Sequence, residues 1–387
     1  MTTSAFSHDP HLPSGAHGTG PDFGPGHAVR ISDPGTLISA VPALLGFHPR
    51  RSLVAICLTG TSVGAVMRHD LVLDEGHPGG VMNLVLDQFA AVAVREGADR
   101  MLVVVVDDRI PPRARAADLA GHTAIVGRFR ELLRRSGIEL SAVHVCARIQ
   151  VGAPWQDLTG TKHGVLPDPT SSAVAAAQVL GGRAIRGSRE ELEAVLDPAP
   201  ADVQARIADL IDTAREDGTR GAALTRAAAD PARADREGLE YVLTRIAQYD
   251  SGDEIAPEEC ADLALALENL AVRDSLLALS AGAQADAAEQ LWVLLGRTLP
   301  DPERAEPLAL LGYSAYLRGD GPMAGVALCA ALAADPCHRL AGLLDDALQA
   351  GVRPAALRDL AAVGHRIAQD LGVLLPPLGP LLPPGGV

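Results

Sequence analysis

The sequence predicts an α/β domain with a mixed sheet, followed by an all-helical region. Three observations predict it. Met101–Val106 (MLVVVV) is a continuous apolar run, as a strand covered on both faces requires. Val63–Leu73 places Val63, Ala65, Met67, His69, Leu71 and Leu73 at a period of two, the signature of a half-buried strand. After Asp197-Pro198 the strand signals stop, and helical periodicity punctuated by Gly and Asp-Pro continues to about Leu371.

The elements follow in order. Residues 1–27, rich in Gly, Pro, His and Ser, read as a disordered arm. Val29–Ser32 reads as a short strand. Asp33-Pro34-Gly35 opens a helix through LISAVPALLGF, which Gly46 and Pro49 close. Ser52–Thr59 and Val63–Leu73 are strands joined through Gly60-Thr61-Ser62. Gly79–Glu96 is a helix by the spacing of Val81, Leu84, Val85, Phe89 and Val92. Pro111–Ser136 reads as one long helix, Leu140–Val151 as a further strand and 152–170 as a loop. Ser171–Leu180 and Ser188–Leu196 read as helices, the second opened by a Ser188/Glu191 capping box. A hairpin followed by alternating helices and strands implies a mixed sheet with helices packed on it. The α/β domain thus spans 28–199, the helical domain 200–371, and 372–387 is a Pro-rich extended tail.

Within the helical region, residues 305–338 are similar to a tetratricopeptide unit. Leu308, Leu311 and Gly312 stand in its first helix, Ala324, Leu328 and Ala331 in its second, and Pro336 closes it. No second copy precedes it, so a tetratricopeptide-like hairpin inside a larger helical domain is expected.

Composition narrows the function. Hydrophobic residues make up 48% and aromatics 3%, so the core is built from Ala, Leu and Val. Lys162 is the sole lysine, so the abundance of Arg is no evidence of phosphate binding. Net charge is −2 over residues 1–27, 0 over 28–199 and −13 over 200–387. A helical half this acidic repels nucleic acid and anionic lipid, so neither is an expected partner. The cysteines at 57, 146, 260, 329 and 337 form no C-x-x-C pair and read as reduced, mostly buried thiols. The N-terminus has neither the basic start nor the apolar core of a signal peptide, and no apolar run is long enough to span a bilayer. A cytoplasmic protein is expected.

Several motifs can carry chemistry. Gly60-Thr61-Ser62-Val63-Gly64 matches a nucleophile elbow, but a strand on both sides makes it a hairpin turn. Asp107, Asp108 and Arg109 follow the buried strand, where ligands of open α/β sheets bind; either Asp can instead cap a following helix. His48, with Arg50 and Arg51, connects the first helix to a strand and can receive an anion, while Gly46 and Pro49 already explain a tight helix stop. His144, Cys146 and Arg148 share a strand face, too few ligands for zinc. Trp155, Asp157, Lys162, His163 and Asp168 gather in the long central loop. No P-loop, H-E-x-x-H or strand-associated G-x-G-x-x-G is present. The candidate ligand-binding residues are therefore Asp107, Asp108, Arg109, His48, Trp155, Lys162 and His163. No catalytic set, metal site or cofactor is assigned.

The chain resembles a bacterial family filed as a domain of unknown function, number 4192. The resemblance rests first on Asp33-Pro34, Leu44 through Pro49, and Ser52-Leu53-Val54. Gly164 through Asp168 and Ser188 through Leu192 follow. Late in the chain come Val272-Arg273-Asp274, Gly319-Asp320-Gly321, Ala324, Ala327-Leu328, Asp335-Pro336 and Leu340-Ala341. Members often carry a cysteine just before the Gly164 motif; here Thr159–His163 has none, so that loop is not expected to hold metal or do redox chemistry. The resemblance implies no activity. A binding or regulatory protein using its helical half for protein contacts is expected. The alternative is an enzyme or small-ligand sensor with its site at the sheet edge, around a pocket shared by Asp107 or Asp108 and the central loop.

Overall fold

A computed structural model describes residues 33–60, 62–74, 77–111, 114–180, 184–217 and 230–379. The expected arm and the expected strand at Val29–Ser32 lie outside them. Helix α1 (Pro34–Leu45) starts where Asp33 accepts from the Thr36 amide at 3.1 Å and Pro34 fills the first turn. It stops at Gly46, whose φ of 72° no bulky residue adopts cheaply. Strands β1 (Ser52–Thr59) and β2 (Ser62–Asp70) form the expected hairpin, so the serine of G-x-S-x-G opens β2 opposite Thr59 and does not sit on a strand-to-helix elbow. A small ribbon of β3 (Leu73–Asp74) and β4 (His77–Pro78) leads to α2 (Gly80–Arg95) and then β5 (Arg100–Val106).

Three expectations are corrected in the next stretch. Helix α3 spans Ala120–Arg135 and does not begin at Pro111. Turns occupy residues 116–119, where Asp118 accepts from the Arg115 amide at 2.8 Å and offers the backbone an alternative to the helix. Strand β6 (Glu139–Cys146) stops five residues short of Val151. There the chain reverses through Gly152, at φ 74°, into β7 (Pro154–Asp157). Third, the central loop holds two strands, β7 and β8 (His163–Val165), paired to each other. Asp157 organises their turn by accepting from the Thr161 amide at 2.8 Å.

The sheet is mixed, in the order β2-β1-β5-β6-β7-β8, with only β5 and β6 parallel. Its two faces bury different partners. Leu53, Ala55, Met101, Val103, Val105, Val143 and Val145 pack under α2 and α3. Val54, Ile56, Val104, Val106 and Cys146 belong to a second apolar cluster shared with α1 and most of the helical region. The core therefore continues from the sheet into the helices.

Helix α4 (Ala173–Leu180) and the short α5 (Arg189–Glu193) precede the helical region. Ser188 caps α5 through the Glu191 amide as expected, but the Glu191 carboxylate takes the Gly187 amide at 2.7 Å and so closes the box one residue early. The helical region comprises α6 (Ala201–Asp217), α7 (Pro231–Asp250), α8 (Pro257–Leu267), α9 (Leu270–Leu276), α10 (Ala285–Thr298), α11 (Ala305–Leu317), α12 (Gly321–Ala334), α13 (Arg339–Gln349) and α14 (Pro354–Asp370). Helices α11 and α12 form a hairpin in which an added Cβ at Gly312 would stand 2.7 Å from Leu328. Pro307 through Leu317 are all buried. A solenoid helix leaves one face to its groove, so α11 is the central helix of a globular domain and not one of a stacking repeat. The tail from Gly372 to Gly379 is extended and packed: Val373 and Leu375 are buried, and the Gly379 amide donates to Ala281 at 2.7 Å.

Candidate functional site

Strand alternation decides what the carboxyl end of β5 presents. Val105 faces α2 and α3, whereas Val106 faces α1. The next two residues continue the alternation, and their side chains diverge. Asp107 turns toward α3, where His122 Nε2 lies 2.9 Å from its Oδ2. Arg109 donates to the same carboxylate from Nε and Nη2, both at 2.8 Å, and from its amide at 3.1 Å. With four donors on two oxygens, the fully buried carboxylate has its accepting capacity filled. Burial alone would raise the Asp107 carboxyl, but the hydrogen bonds from His122 and Arg109 outweigh it and hold the group well below the usual carboxylate range.

Asp108 turns the other way, to the loop between α1 and β1. It accepts from Arg51 Nε at 2.8 Å and from Arg50 Nη2 at 3.3 Å. These guanidiniums, Arg51 first, lower its carboxyl. Neither Asp caps α3, which begins at Ala120 with no side-chain cap. The two carboxylates also do not converge on a shared cation, and among the described residues no group of three or more His, Cys, Asp or Glu has metal-site geometry.

The α1–β1 loop that meets Asp108 is pinned on three sides. The His48 amide donates to Arg186 at 3.0 Å, and the Arg186 amide donates to Gly46 at 2.7 Å. His48 Nδ1 lies 3.2 Å from the Ile149 carbonyl and donates to it. Ser52 Oγ donates to the Arg50 carbonyl at 2.7 Å, and the Leu71 amide to the Arg51 carbonyl at 2.6 Å. Held this way, Arg51 has φ 42°, the left-handed region that a side chain of this kind rarely adopts. Arg50 and Arg51 nevertheless keep their side chains 73% and 59% exposed.

Two strands beyond β5, on β7, Trp155 pairs with Cys146 and is buried, its ring edge-on to His144 at 5.2 Å. Burial depresses His144 and pushes the Cys146 thiol up to about 12, so Cys146 is protonated at neutral pH and is no nucleophile. Lys162 and His163 are exposed on the outermost hairpin. The edge thus gathers His48, Asp107, Asp108 and Arg109, with Trp155 beside them in the sheet, and leaves Lys162 and His163 at its rim. Two depressions, of about 460 and 250 Å³, are lined by Leu243, Thr244 and Ala247, and by Ala234, Gly238 and Asn269; both lie in the helical region.

Sequence reasoning missed His122 and Arg68. His122 carries no local signal, since only the fold brings the first turn of α3 to the end of β5. Arg68 did carry one: it is a charged residue at an inward position of a strand whose other face was read as apolar.

A family model described as Domain of unknown function (DUF4192) matches residues 34–355. No curated protein and no solved structure matches the chain.

Proposed function

This chain belongs to the family described as Domain of unknown function (DUF4192), and from that premise we propose that it is a non-catalytic binding or regulatory protein that seats a small ligand at the arginine-bearing edge of its sheet. The observation that carries this reading is Arg51. A non-glycine residue in left-handed backbone is strained, and such strain concentrates at ligand clamps. Here the strain presents two exposed guanidiniums where ligands of α/β sheets bind. Neither carboxylate is a free general base beside them, because Asp107 is filled by its own partners and Asp108 is paired to both arginines. Stretches that carry the family resemblance, Leu44–Pro49 and Ser188–Leu192, lie along the same edge.

A thermal-shift screen with nucleotides, metabolites and divalent ions tests the reading. A ligand at a hundred times its Kd stabilises by about 2.7 kcal/mol. Hydrogen exchange should then slow at 46–52 and 107–109. A flat screen, or protection confined to other segments, would remove it.

A second reading places protein contacts on the helical half. The depression of about 460 Å³ on α7, lined by Leu243, Thr244, Ala247, Gln248, Ser251 and Asp253, supports it, as do the exposed side chains of Leu270 and Leu343. In this reading the helices relay ligand occupancy to a partner. A cytoplasmic location fits both readings. Among the described residues no helix is long and apolar enough to cross a membrane.

A further inference from the structure

Strand β2 is an outermost strand of the sheet and pairs only with β1. In that register Arg68 stands opposite Val54, and Val54 faces the cluster shared with α1 and the helices. Arg68 therefore projects inward. Its guanidinium lies 5.6 Å from the centre of the Phe47 ring, and its side chain is only 8% exposed. Nε donates to Ser52 Oγ at 2.9 Å and Nη2 donates to Asp70. Nη1 is buried and has no partner among the described residues. A charged group with an idle buried donor is destabilising unless something accepts from it.

The surroundings point to an acceptor that brings negative charge. Burial loosens the Arg68 proton, Asp70 restores it, and the nearby Arg189 guanidinium loosens it further. The acids close by have other partners. Glu193 takes Arg189 Nε at 2.7 Å, and Glu190 is held by Ser188 while sensing both Arg50 and Arg68. Asp70 binds Arg68 from a largely solvated position.

We infer that the end of β2 beside Phe47 and α5 is an oxyanion site: one carboxylate or phosphate group of a small ligand accepts from Arg68 Nη1, with the guanidiniums of Arg50 and Arg189 nearby. A charged acceptor suits the idle Nη1 better than a single water, which carries no charge to offset the facing guanidiniums. This rests on the sheet-edge reading of the function, because Ser52 and Arg50 join Arg68 to the Arg51 turn.

Inorganic phosphate and succinate, each titrated into the full chain against sodium chloride at matched ionic strength, test it. The melting temperature and hydrogen exchange at 66–70 and 186–190 are the readouts. One of the two anions should give a saturable rise and slowed exchange there; which one it is assigns a phosphoryl or a carboxylate ligand. Arg68→Lys should weaken that binding at least about tenfold. Arg189→Gln should weaken it several-fold, and Arg134→Gln, on the far side of α3, not at all. If Arg68→Lys does not fold, the half-exposed Arg189 carries the test. Responses that never saturate, that chloride reproduces, or that all variants share would overturn the site. A screen ligand that protects 46–52 and 107–109 yet binds Arg68→Lys as tightly as the parent would overturn the oxyanion site and leave the sheet-edge reading standing. A flat broad screen removes both.

Discussion

Asp107 and Asp108 are neighbours in sequence, and their carboxylates leave β5 on opposite sides of the sheet, one bonded to His122 under α3 and the other to Arg51 over the α1–β1 loop. The two should therefore respond differently to the same substitution. Asp107→Asn replaces a filled, buried acceptor with one that cannot take all four donors, and it strands Arg109 and His122. The expected cost is about 3 kcal/mol in denaturant unfolding. Asp108→Asn disrupts half-solvated pairs and should cost at most about 1 kcal/mol. Equal effects at the two positions would contradict the divergence.

The same pair sets an acid limit. The folded Asp107 carboxyl is depressed below its unfolded value, so its contribution to stability is present above the unfolded pKa of about 3.9 and is lost as pH falls through that value toward the folded one. Unfolding free energy should fall in this window by up to about 1.4 kcal/mol per pH unit for this one group. Asp107→Asn, already weaker at neutral pH, should show a correspondingly shallower acid limb. Chemical denaturation from pH 6 to pH 3 checks both slopes.

What was legible in the sequence follows the range of the forces involved. Asp33, Gly46 and the Gly60 turn act within a few residues, and α1 and the β1–β2 hairpin were readable from them. The β7–β8 hairpin was hidden because its strands are four and three residues long, too short for a period to emerge, and because their alternation counts only once β6 lies beside them. Position 107 was legible as the carboxyl end of a buried strand. Its bond to His122 was not, since the fourteen residues of intervening chain carry no signal of where α3 will dock. Lys162, singled out as the one lysine, stands exposed on the outer hairpin.

Helix α14 crosses α9 at Gly364, where an added Cβ would run into the Asp274 carbonyl. Backbone cannot swing aside as a side-chain tip can, so Gly364→Ala should cost about 1–3 kcal/mol through a helix shift. Gly342, in α13, gives the opposite expectation. Nothing lies within 4 Å of its Cβ position, and alanine there should stabilise by up to about 1 kcal/mol from helix propensity alone. Thermal unfolding of the two variants should move in opposite directions.

Arg51→Gly separates the fold from the proposed function. At φ 42° arginine carries a backbone penalty of about 1–2 kcal/mol that glycine does not. Glycine also removes the hydrogen bond to Asp108, which joins a 59% exposed side chain to one 25% exposed and contributes about 0–1 kcal/mol. Its greater freedom in the unfolded chain takes back roughly another 0.5–1 kcal/mol. The three nearly cancel, so the variant should melt within a few degrees of the parent. If the left-handed turn is ordinary loop geometry, ligand response should be as indifferent as stability. Under the proposed function it should not be: the ligand-induced rise in melting temperature should shrink, because a guanidinium has left the edge and the turn that aims Arg50 is no longer stiff. Arg51→Lys sharpens the comparison by retaining charge and strain while losing the planar fork, and it should give an intermediate response. Full ligand response in Arg51→Gly would assign the strain to the fold alone.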